Sequence, residues 1–221
     1  MILDLLFPPR CAFCGRLLDE NGKCPDCVLP WVEDGDALQD IGGFLCVKAF
    51  YYDGPAKEAI HALKFDRASW RAGVLGRYIA QAAAEYLGGQ FDAVTYVPVS
   101  WQRNLARGFD QSRLLARSAA RVWGIDAEPA LQKIRHTRPQ SSLDDPRLRH
   151  ANAEGAYRPR RHAAIAGRRF LLIDDVVTTG STLAACAATL TAAGAASVVC
   201  AALAGGRNTR QGGLKKRMLF Q

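Results

Sequence analysis

The sequence lacks several features that mark common classes of protein. It has no uninterrupted apolar stretch of the length that a membrane span requires, and its amino-terminal apolar run is too short for a secretory signal. No GxxxxGK[ST] loop occurs, and no GxGxxG follows a predicted strand, which excludes P-loop and Rossmann-type nucleotide binding. We therefore expect a cytoplasmic protein, not inserted in a membrane, whose 221 residues form one α/β domain and a small appendage.

Charge is unevenly distributed along the chain, although the formal net charge is +8. Residues 97–170 carry 15 Lys and Arg against 6 Asp and Glu, whereas residues 1–96 carry 9 against 13. A basic middle segment suits a polyanionic ligand such as pyrophosphate, and it equally suits a nucleic-acid strand.

Four of the seven cysteines form two C-x-x-C pairs, Cys11-Ala-Phe-Cys14 and Cys24-Pro-Asp-Cys27. In a reducing compartment such clusters are more often metal ligands than disulfides, and four thiolates complete the tetrahedral shell of a structural zinc. Disulfides or a redox C-x-x-C are the alternatives. The other three cysteines lie in apolar stretches and are predicted core residues: Cys46, Cys186 and Cys200.

The segment before residue 90 reads as a linker, a strand and two helices. Residues 30–43 are acidic and contain glycine, which is typical of a linker, and residues 44–52 resemble a strand. A short helix is predicted from Gly54 to Phe65, and a longer helix, capped by Ser69, ends at Gly88-Gly89. Lys64 could reach an anion, but a lone lysine at a helix end is usually solvated.

The most informative stretch is Phe170 to Thr182, FLLIDDVVTTGST. Residues 170–173 have the apolar, branched character of a buried strand, and an alanine-rich helix runs from Ser181 to a stop at Gly194. The turn between them, DDVVTTG, is predicted at the carboxyl end of a strand and at a helix amino terminus, where anions bind.

The side chains of this turn indicate a sugar phosphate. Thr178, Thr179, Ser181 and Thr182 surround Gly180 with hydroxyls, and glycine allows the backbone to approach an anion closely. Asp174 and Asp175 would repel a phosphate, so they are better explained as acceptors for ribose hydroxyls or as ligands of a metal carried with the phosphate. A merely well-capped helix start is the alternative, although capping needs one such residue.

A second candidate anion site follows the apolar run AVTYVPVS, residues 93–100. Arg103 and Arg107 are four residues apart, so a helical turn would direct both guanidiniums the same way, as a pyrophosphate clamp requires. A solvated basic helix start is the alternative. Asp110 is predicted to cap the next helix, which ends at Gly124.

Two resemblances follow from these motifs. An apolar strand followed by DD, two apolar residues and TTG-x-T resembles the 5-phosphoribosyl-1-pyrophosphate (PRPP) motif of type I phosphoribosyltransferases. VPVSWQRNLARGFDQ, then IRHTRPQSSLDDPRLRHANAEGAY and the PRPP motif, behind a four-cysteine head, resembles the ComF family of competence-associated proteins. The resemblance covers the chain to about residue 204, with Asp110 standing where the family pattern commonly has Asn.

The resemblance implies an α/β fold of the type I phosphoribosyltransferase class: a mainly parallel twisted sheet with helices on both faces, plus an amino-terminal four-cysteine zinc knuckle. The implied domains are a zinc-binding head and linker over 1–43, a phosphoribosyltransferase domain over 44–204 and a flexible basic tail over 205–221.

The resemblance also implies roles for individual residues. Asp174 and Asp175 hold the ribose 2- and 3-hydroxyls, and the residues from Val177 to Thr182 wrap the 5-phosphate. Val97 to Ser100 form the pyrophosphate loop, which includes Val99. Residues 133–157 form the loop that closes over the ligand. The polar groups of the long segment 133–161 are its candidate ligand contacts: Arg135, Arg138, Gln140, Arg147 and Asn152.

The implied activity is phosphoribosyl transfer from PRPP, bound with magnesium, to an acceptor that the sequence does not indicate. Family naming adds a link to DNA uptake, with single-stranded DNA and the uptake helicase machinery as candidate partners. A PRPP-responsive binding protein without turnover is the remaining alternative.

Overall fold

The computed structural model describes residues 8–65, 68–135 and 155–207, and at Arg103, Ala106 and Arg107 it describes the backbone alone. The strands are β1 Leu38–Asp40, β2 Leu45–Tyr51, β3 Ala93–Tyr96, β4 Leu131–Lys133, β5 Tyr157–Pro159, β6 Arg169–Val177 and β7 Ser197–Gly205. The helices are α1 Gly54–Phe65, α2 Ala72–Leu87, α3 Trp101–Arg107, α4 Gln111–Val122 and α5 Ser181–Ala192.

Five strands form one sheet in the order β1-β2-β7-β6-β3. β1 is antiparallel to β2, and the other neighbours are parallel, as strands joined by helical crossovers must be. In this order β6 lies between β7, which follows it in the chain, and β3, which precedes it. Ligands of open α/β sheets bind outside the carboxyl ends of the parallel strands, and β6 is one of these strands.

Both faces of the sheet are buried, because alternate residues of β6 and β7 enter two different cores. Leu171 and Ile173 pack with α2 and α4 on one face, whereas Phe170 and Leu172 pack with α5 on the other. The predicted α/β class is thus confirmed. The predicted core cysteines are confirmed as well, since each is fully buried: Cys46, Cys186 and Cys200.

Three local predictions differ from the structure. Ser69 begins a 3-10 turn that ends at Arg71 and makes no side-chain cap, so α2 starts only at Ala72. The region read as a linker contains β1, whose pairing with β2 local sequence does not reveal. The two aspartates belong to β6 and not to the turn, because parallel pairing with β7 continues to Val177, opposite Gly205.

The four-cysteine knuckle packs against the core on the α2 and α4 face of the sheet. Its contact residue is Phe13, which is buried. The centre of the Phe13 ring lies 5.4 Å from that of Phe50 and 5.6 Å from that of Tyr78. Arg71 donates hydrogen bonds to the carbonyl oxygens of Ala12 and Phe13. The knuckle is therefore anchored to the start of α2 by both apolar and polar contacts.

Candidate functional site

A cavity of about 240 Å³ opens at the carboxyl end of β6. Its wall contains most of the predicted PRPP motif, namely Asp174, Asp175, Val176, Val177, Thr178, Thr179, Gly180, Ser181 and Thr182. Two other helices and a loop also contribute to the wall: Tyr52, Lys64 and Gln111. Strand, turn and helix start therefore enclose one concave space, as their sequence order predicts.

The two adjacent carboxylates have different partners. Asp174 Oδ1 accepts from Ser112 Oγ at 2.8 Å and from the Asp175 amide at 2.9 Å. Asp175 is 5% exposed, and its Oδ2 lies 2.9 Å from Lys64 Nζ. Each carboxylate is thus held by a group of a different helix.

These environments set the protonation of the site. Burial, followed by the nearby charge of Asp175, raises the pKa of Asp174 to about 7. Burial lowers the pKa of Lys64, but the attraction of Asp175 and then Asp174 outweighs it, so the pKa of Lys64 is raised. The ammonium therefore stays charged beside Asp175.

The turn that follows β6 has the geometry of an anion cradle. Gly180 has a φ of +75°, and a β-carbon there would lie 2.6 Å from Ile41 Cβ, so only glycine fits. Thr179 Oγ1 and Ser181 Oγ lie 2.9 Å apart, and Thr178 is exposed to the cavity mouth. The first helical hydrogen bond of α5 runs from the Ala184 amide to the Gly180 carbonyl, so the amides before it lack helical partners.

The predicted pyrophosphate loop connects β3 to α3. Ser100 is 5% exposed, and its Oγ has no hydrogen-bond partner among the described residues. Arg103 and Arg107 both lie on α3, as their spacing predicts, and their side chains are outside the described atoms. The direction of the proposed arginine clamp stays a prediction.

Asp110 caps α4 and also holds this loop. Its Oδ1 accepts from the Arg113 amide at 3.0 Å and its Oδ2 accepts from the Val99 amide at 3.2 Å. Two acceptors are needed here, and an asparagine offers one side-chain oxygen. The departure from the commoner Asn therefore strengthens the attachment of the loop to α4.

The predicted lid lies between the paired strands β4 and β5, in which Lys133 is opposite Tyr157. Arg135 is exposed just after β4. The other candidate lid residues lie outside the described residues: Arg138, Gln140, Arg147 and Asn152.

Three polar residues of the cavity region are not predicted from the sequence. The sequence favours a solvated Lys64, but α1 brings this residue to Asp175. Ser112 supports Asp174, and Gln111 is buried in the cavity wall. Only the sequence GFDQS, directly after the predicted pyrophosphate loop, could have suggested the last two.

The four predicted metal ligands form a cluster, with the sulfurs of Cys11, Cys14, Cys24 and Cys27 all within 4.8 Å of one another. Cys11 Sγ lies 3.8 Å from Cys27 Sγ, and Cys14 Sγ lies 3.5 Å from Cys24 Sγ. Tetrahedral zinc with bonds of about 2.3 Å places its sulfurs about 3.8 Å apart, so this cluster has a suitable size for a metal such as zinc.

Comparisons with known proteins define the class. The phosphoribosyl transferase domain family matches residues 114–220, which include β6, the phosphate turn and α5. Among solved structures, a glutamine PRPP amidotransferase from B. subtilis has a TM-score of 0.41 and 25% identity, over 62% of this chain and 26% of that one. A hypoxanthine phosphoribosyltransferase from Trypanosoma cruzi has a TM-score of 0.35 and 16% identity, over 68% of this chain and 75% of that one. The family match identifies a phosphoribosyltransferase domain in the part of the chain that contains β6, the phosphate turn and α5.

Curated relatives define the family. The DNA utilization protein YhgH of Salmonella typhimurium is 34% identical over 160 residues, which cover 67% of this chain and 70% of that protein. YhgH of Escherichia coli K12 is 35% identical over 162 residues, with the same shares covered. The chain belongs to the ComF family of phosphoribosyltransferase-like proteins. No helix within the described ranges is long and apolar enough to cross a membrane.

Proposed function

We propose that this protein binds PRPP and transfers its phosphoribosyl group to an acceptor. One observation carries the proposal: a hydroxyl-rich anion cradle and a pair of carboxylates line the same cavity at the carboxyl end of β6. A phosphate alone would not need the carboxylates, whereas a ribose phosphate uses both kinds of group.

The binding roles follow from this division. The turn from Val177 to Thr182 receives the 5-phosphate, and Asp174 and Asp175 accept from the ribose hydroxyls. Val99 and Ser100 lie at the pyrophosphate end, where Arg103 and Arg107 would stabilise the leaving anion. The Oγ of Ser100 supports this role, because it is buried and has no hydrogen-bond partner among the described residues. Burying an unpaired hydroxyl costs free energy unless a ligand supplies the hydrogen bond.

Magnesium would accompany PRPP and, when bound, neutralise charge on the pyrophosphate. The donor set fits a metal held mainly by ligand oxygens, because Ser112 and Lys64 already engage the two carboxylates. The chain itself supplies orientation: the acids fix the ribose ring, the turn fixes its 5-phosphate, and the loop over residues 133–157 would exclude water on closing.

We assign a structural zinc to the cysteine cluster, since four thiolates leave no open coordination position. Such a site requires reduced thiols, which is consistent with a cytoplasmic location.

A second candidate function is the handling of single-stranded DNA, as the name of the relatives suggests. Arg113, Arg117 and Arg121 are exposed and four residues apart on α4, so they form a row with a spacing of about 6 Å. Within the described part of the chain, no salt bridge engages this row. Nucleic-acid phosphates would bind such a row, and both functions could reside in one protein.

Calorimetric titration with PRPP and Mg²⁺ tests the first proposal, and a screen of acceptors for pyrophosphate release follows. Binding with release identifies a transferase. Binding without release over a broad acceptor set supports a PRPP-responsive protein, and absence of binding contradicts both.

A further inference from the structure

Lys64 places a cation inside the cavity that the proposed function assigns to a sugar phosphate. The residue lies in the last turn of α1, its side chain is 22% exposed, and its Nζ is 2.9 Å from Asp175 Oδ2. The side chain of Asp175 is 7% exposed. The ion pair is therefore part of the cavity wall and is only weakly screened by solvent.

The two carboxylates in the cavity wall make this ion pair important. Two adjacent carboxylates without a cation would oppose any anionic ligand at short range, and the repulsion is strong where water is partly excluded. A bound divalent cation is one way to remove the repulsion. A lysine built into the wall is another, and it needs no metal.

We propose that Lys64 is the resident counter-ion of the carboxylate pair, and that it lets the cavity accept a ribose phosphate without a divalent cation at Asp174 and Asp175. The inference rests on the proposed function, because it takes the cavity to be a ribose phosphate site. Magnesium then serves the pyrophosphate of PRPP and not the carboxylates.

A purely structural role makes a different prediction. If Lys64 only ties α1 to β6, its replacement lowers the stability of the protein and leaves the metal dependence of binding unchanged. If Lys64 is the counter-ion, its replacement transfers charge neutralisation to the metal. The response of affinity to Mg²⁺ therefore separates the two roles.

The test is calorimetric titration with ribose 5-phosphate, which lacks the pyrophosphate that carries its own metal, in Mg²⁺ and in EDTA. Wild type, Lys64→Gln, Lys64→Arg and the control Lys57→Gln are compared. Lys57 is an exposed lysine on the same helix. PRPP with Mg²⁺ is titrated into wild type as the reference for the proposed function, and melting temperatures show whether each variant is folded.

Wild type and Lys57→Gln should bind ribose 5-phosphate with affinities that differ less than twofold between Mg²⁺ and EDTA. Lys64→Gln should lose at least tenfold in EDTA and recover part of the loss in Mg²⁺, whereas Lys64→Arg should retain the wild-type pattern. The same small Mg²⁺ response in Lys64→Gln as in wild type would overturn the role of Lys64. A tenfold Mg²⁺ dependence in wild type would overturn it too. In both cases PRPP binding by wild type leaves the proposed function standing, whereas failure to bind PRPP removes both.

Discussion

Two chemically identical residues, Asp174 and Asp175, differ in what the fold provides for each. Asp174 accepts from a hydroxyl and an amide, whereas Asp175 faces an ammonium. Burying a carboxylate costs desolvation free energy. A neutral partner offsets little of this cost, whereas a cation offsets much of it. The burial of Asp174 is therefore largely uncompensated, and its pKa is raised.

The carboxylates and the hydroxyls of the site should contribute to different parts of ligand recognition. Asp174→Asn with Asp175→Asn should weaken PRPP binding at least tenfold and leave binding of inorganic phosphate largely intact, because the acids contact hydroxyls. Thr178→Ala with Thr182→Ala should weaken both, since each lost charged hydrogen bond costs about 1.5 to 3 kcal/mol. Thr189→Ala with Thr191→Ala, further along α5, is the matched control. If both site variants bind PRPP with wild-type affinity, the turn is only a well-capped helix start and not a binding site.

Asp174 should also give the protein a specific pH dependence. Its pKa is about 7 in the folded protein against an ordinary value of 3.8, so between these pH values the folded state binds a proton that the unfolded chain has released. Its contribution to the free energy of unfolding is thus present below about pH 4 and lost as the pH rises through 7. The melting temperature of Asp174→Asn, relative to that of wild type, should therefore increase as the pH rises from 4 to 8. The exposed Asp126→Asn serves as the control, and a difference from wild type that is constant with pH would contradict the assignment.

At the scale of elements, β6, the phosphate turn and α5 form a unit that depends on a neighbour distant in sequence. Ile41, which follows β1, packs against Gly180, so the edge of the sheet braces the turn. The knuckle is braced in a comparable way by Arg71 at the start of α2. In both cases a short segment, the phosphate turn or the knuckle, packs against the rigid part of the domain.

Gly180→Ala should destabilise the protein and weaken phosphate binding, because it combines a positive φ with a collision at Ile41. Gly124→Ala separates these causes: its φ of +68° is similar, and nothing lies within 4 Å of the position of its β-carbon. Gly124→Ala should cost about 1 kcal/mol, and Gly180→Ala at least about 1 kcal/mol more, by thermal unfolding. If the two substitutions lower the free energy of unfolding equally, the Ile41 side chain moves aside easily. Adding Ile41→Ala to Gly180→Ala should then not restore stability.

The knuckle should contain one zinc per chain, bound through Cys11, Cys14, Cys24 and Cys27. Cys24→Ser should lower the zinc content, and chelator should lower the melting temperature of wild type, because metal binding supplies folding free energy to so small a segment. Cys200→Ser, in the core, should not alter zinc content in the folded fraction. Substoichiometric zinc in protein prepared without chelator, together with paired cysteines, would favour disulfides instead.

On the scale of the whole molecule, part of the basic character of the middle segment is neutralised within the fold. Arg168 pairs with Glu128 and Arg169 pairs with Asp92. The arginine row of α4 lies outside these pairs, on the face opposite its buried residues Leu115 and Ala119. An interaction with nucleic acid would thus use a helix that also supports Asp174 through Ser112.

Binding of single-stranded DNA should decrease steeply with salt and depend on this row. Replacing Arg113, Arg117 and Arg121 with Gln should weaken binding and reduce the slope of log affinity against log salt by about 2. Lys57, Arg77 and Arg158 are exposed elsewhere, and their triple replacement removes the same charge as a control. Fluorescence anisotropy across a salt series measures the effect, and affinity that is undetectable at low salt or unchanged with salt would argue against the electrostatic hypothesis.

The amino-acid sequence by itself determined those features whose chemistry is local. Apolar runs predicted β2 and β6, the C-x-x-C spacing predicted the cysteine cluster, and DDVVTTGST predicted a sugar-phosphate site lined by acids and hydroxyls. Such features depend on residues that are neighbours in the chain, so a single segment contains the information.

The tertiary structure alone decided which distant groups complete the site. Lys64 is 111 positions from Asp175, and Ser112 is 62 positions from Asp174, so their contacts arise only when α1 and α4 meet the end of β6. The extension of β6 to Val177 likewise depends on its pairing with β7, and β1 exists because β2 offers it an edge. Pairing and packing between segments far apart in sequence thus fix the charge of the cavity, since local pattern specifies an element but not its partner.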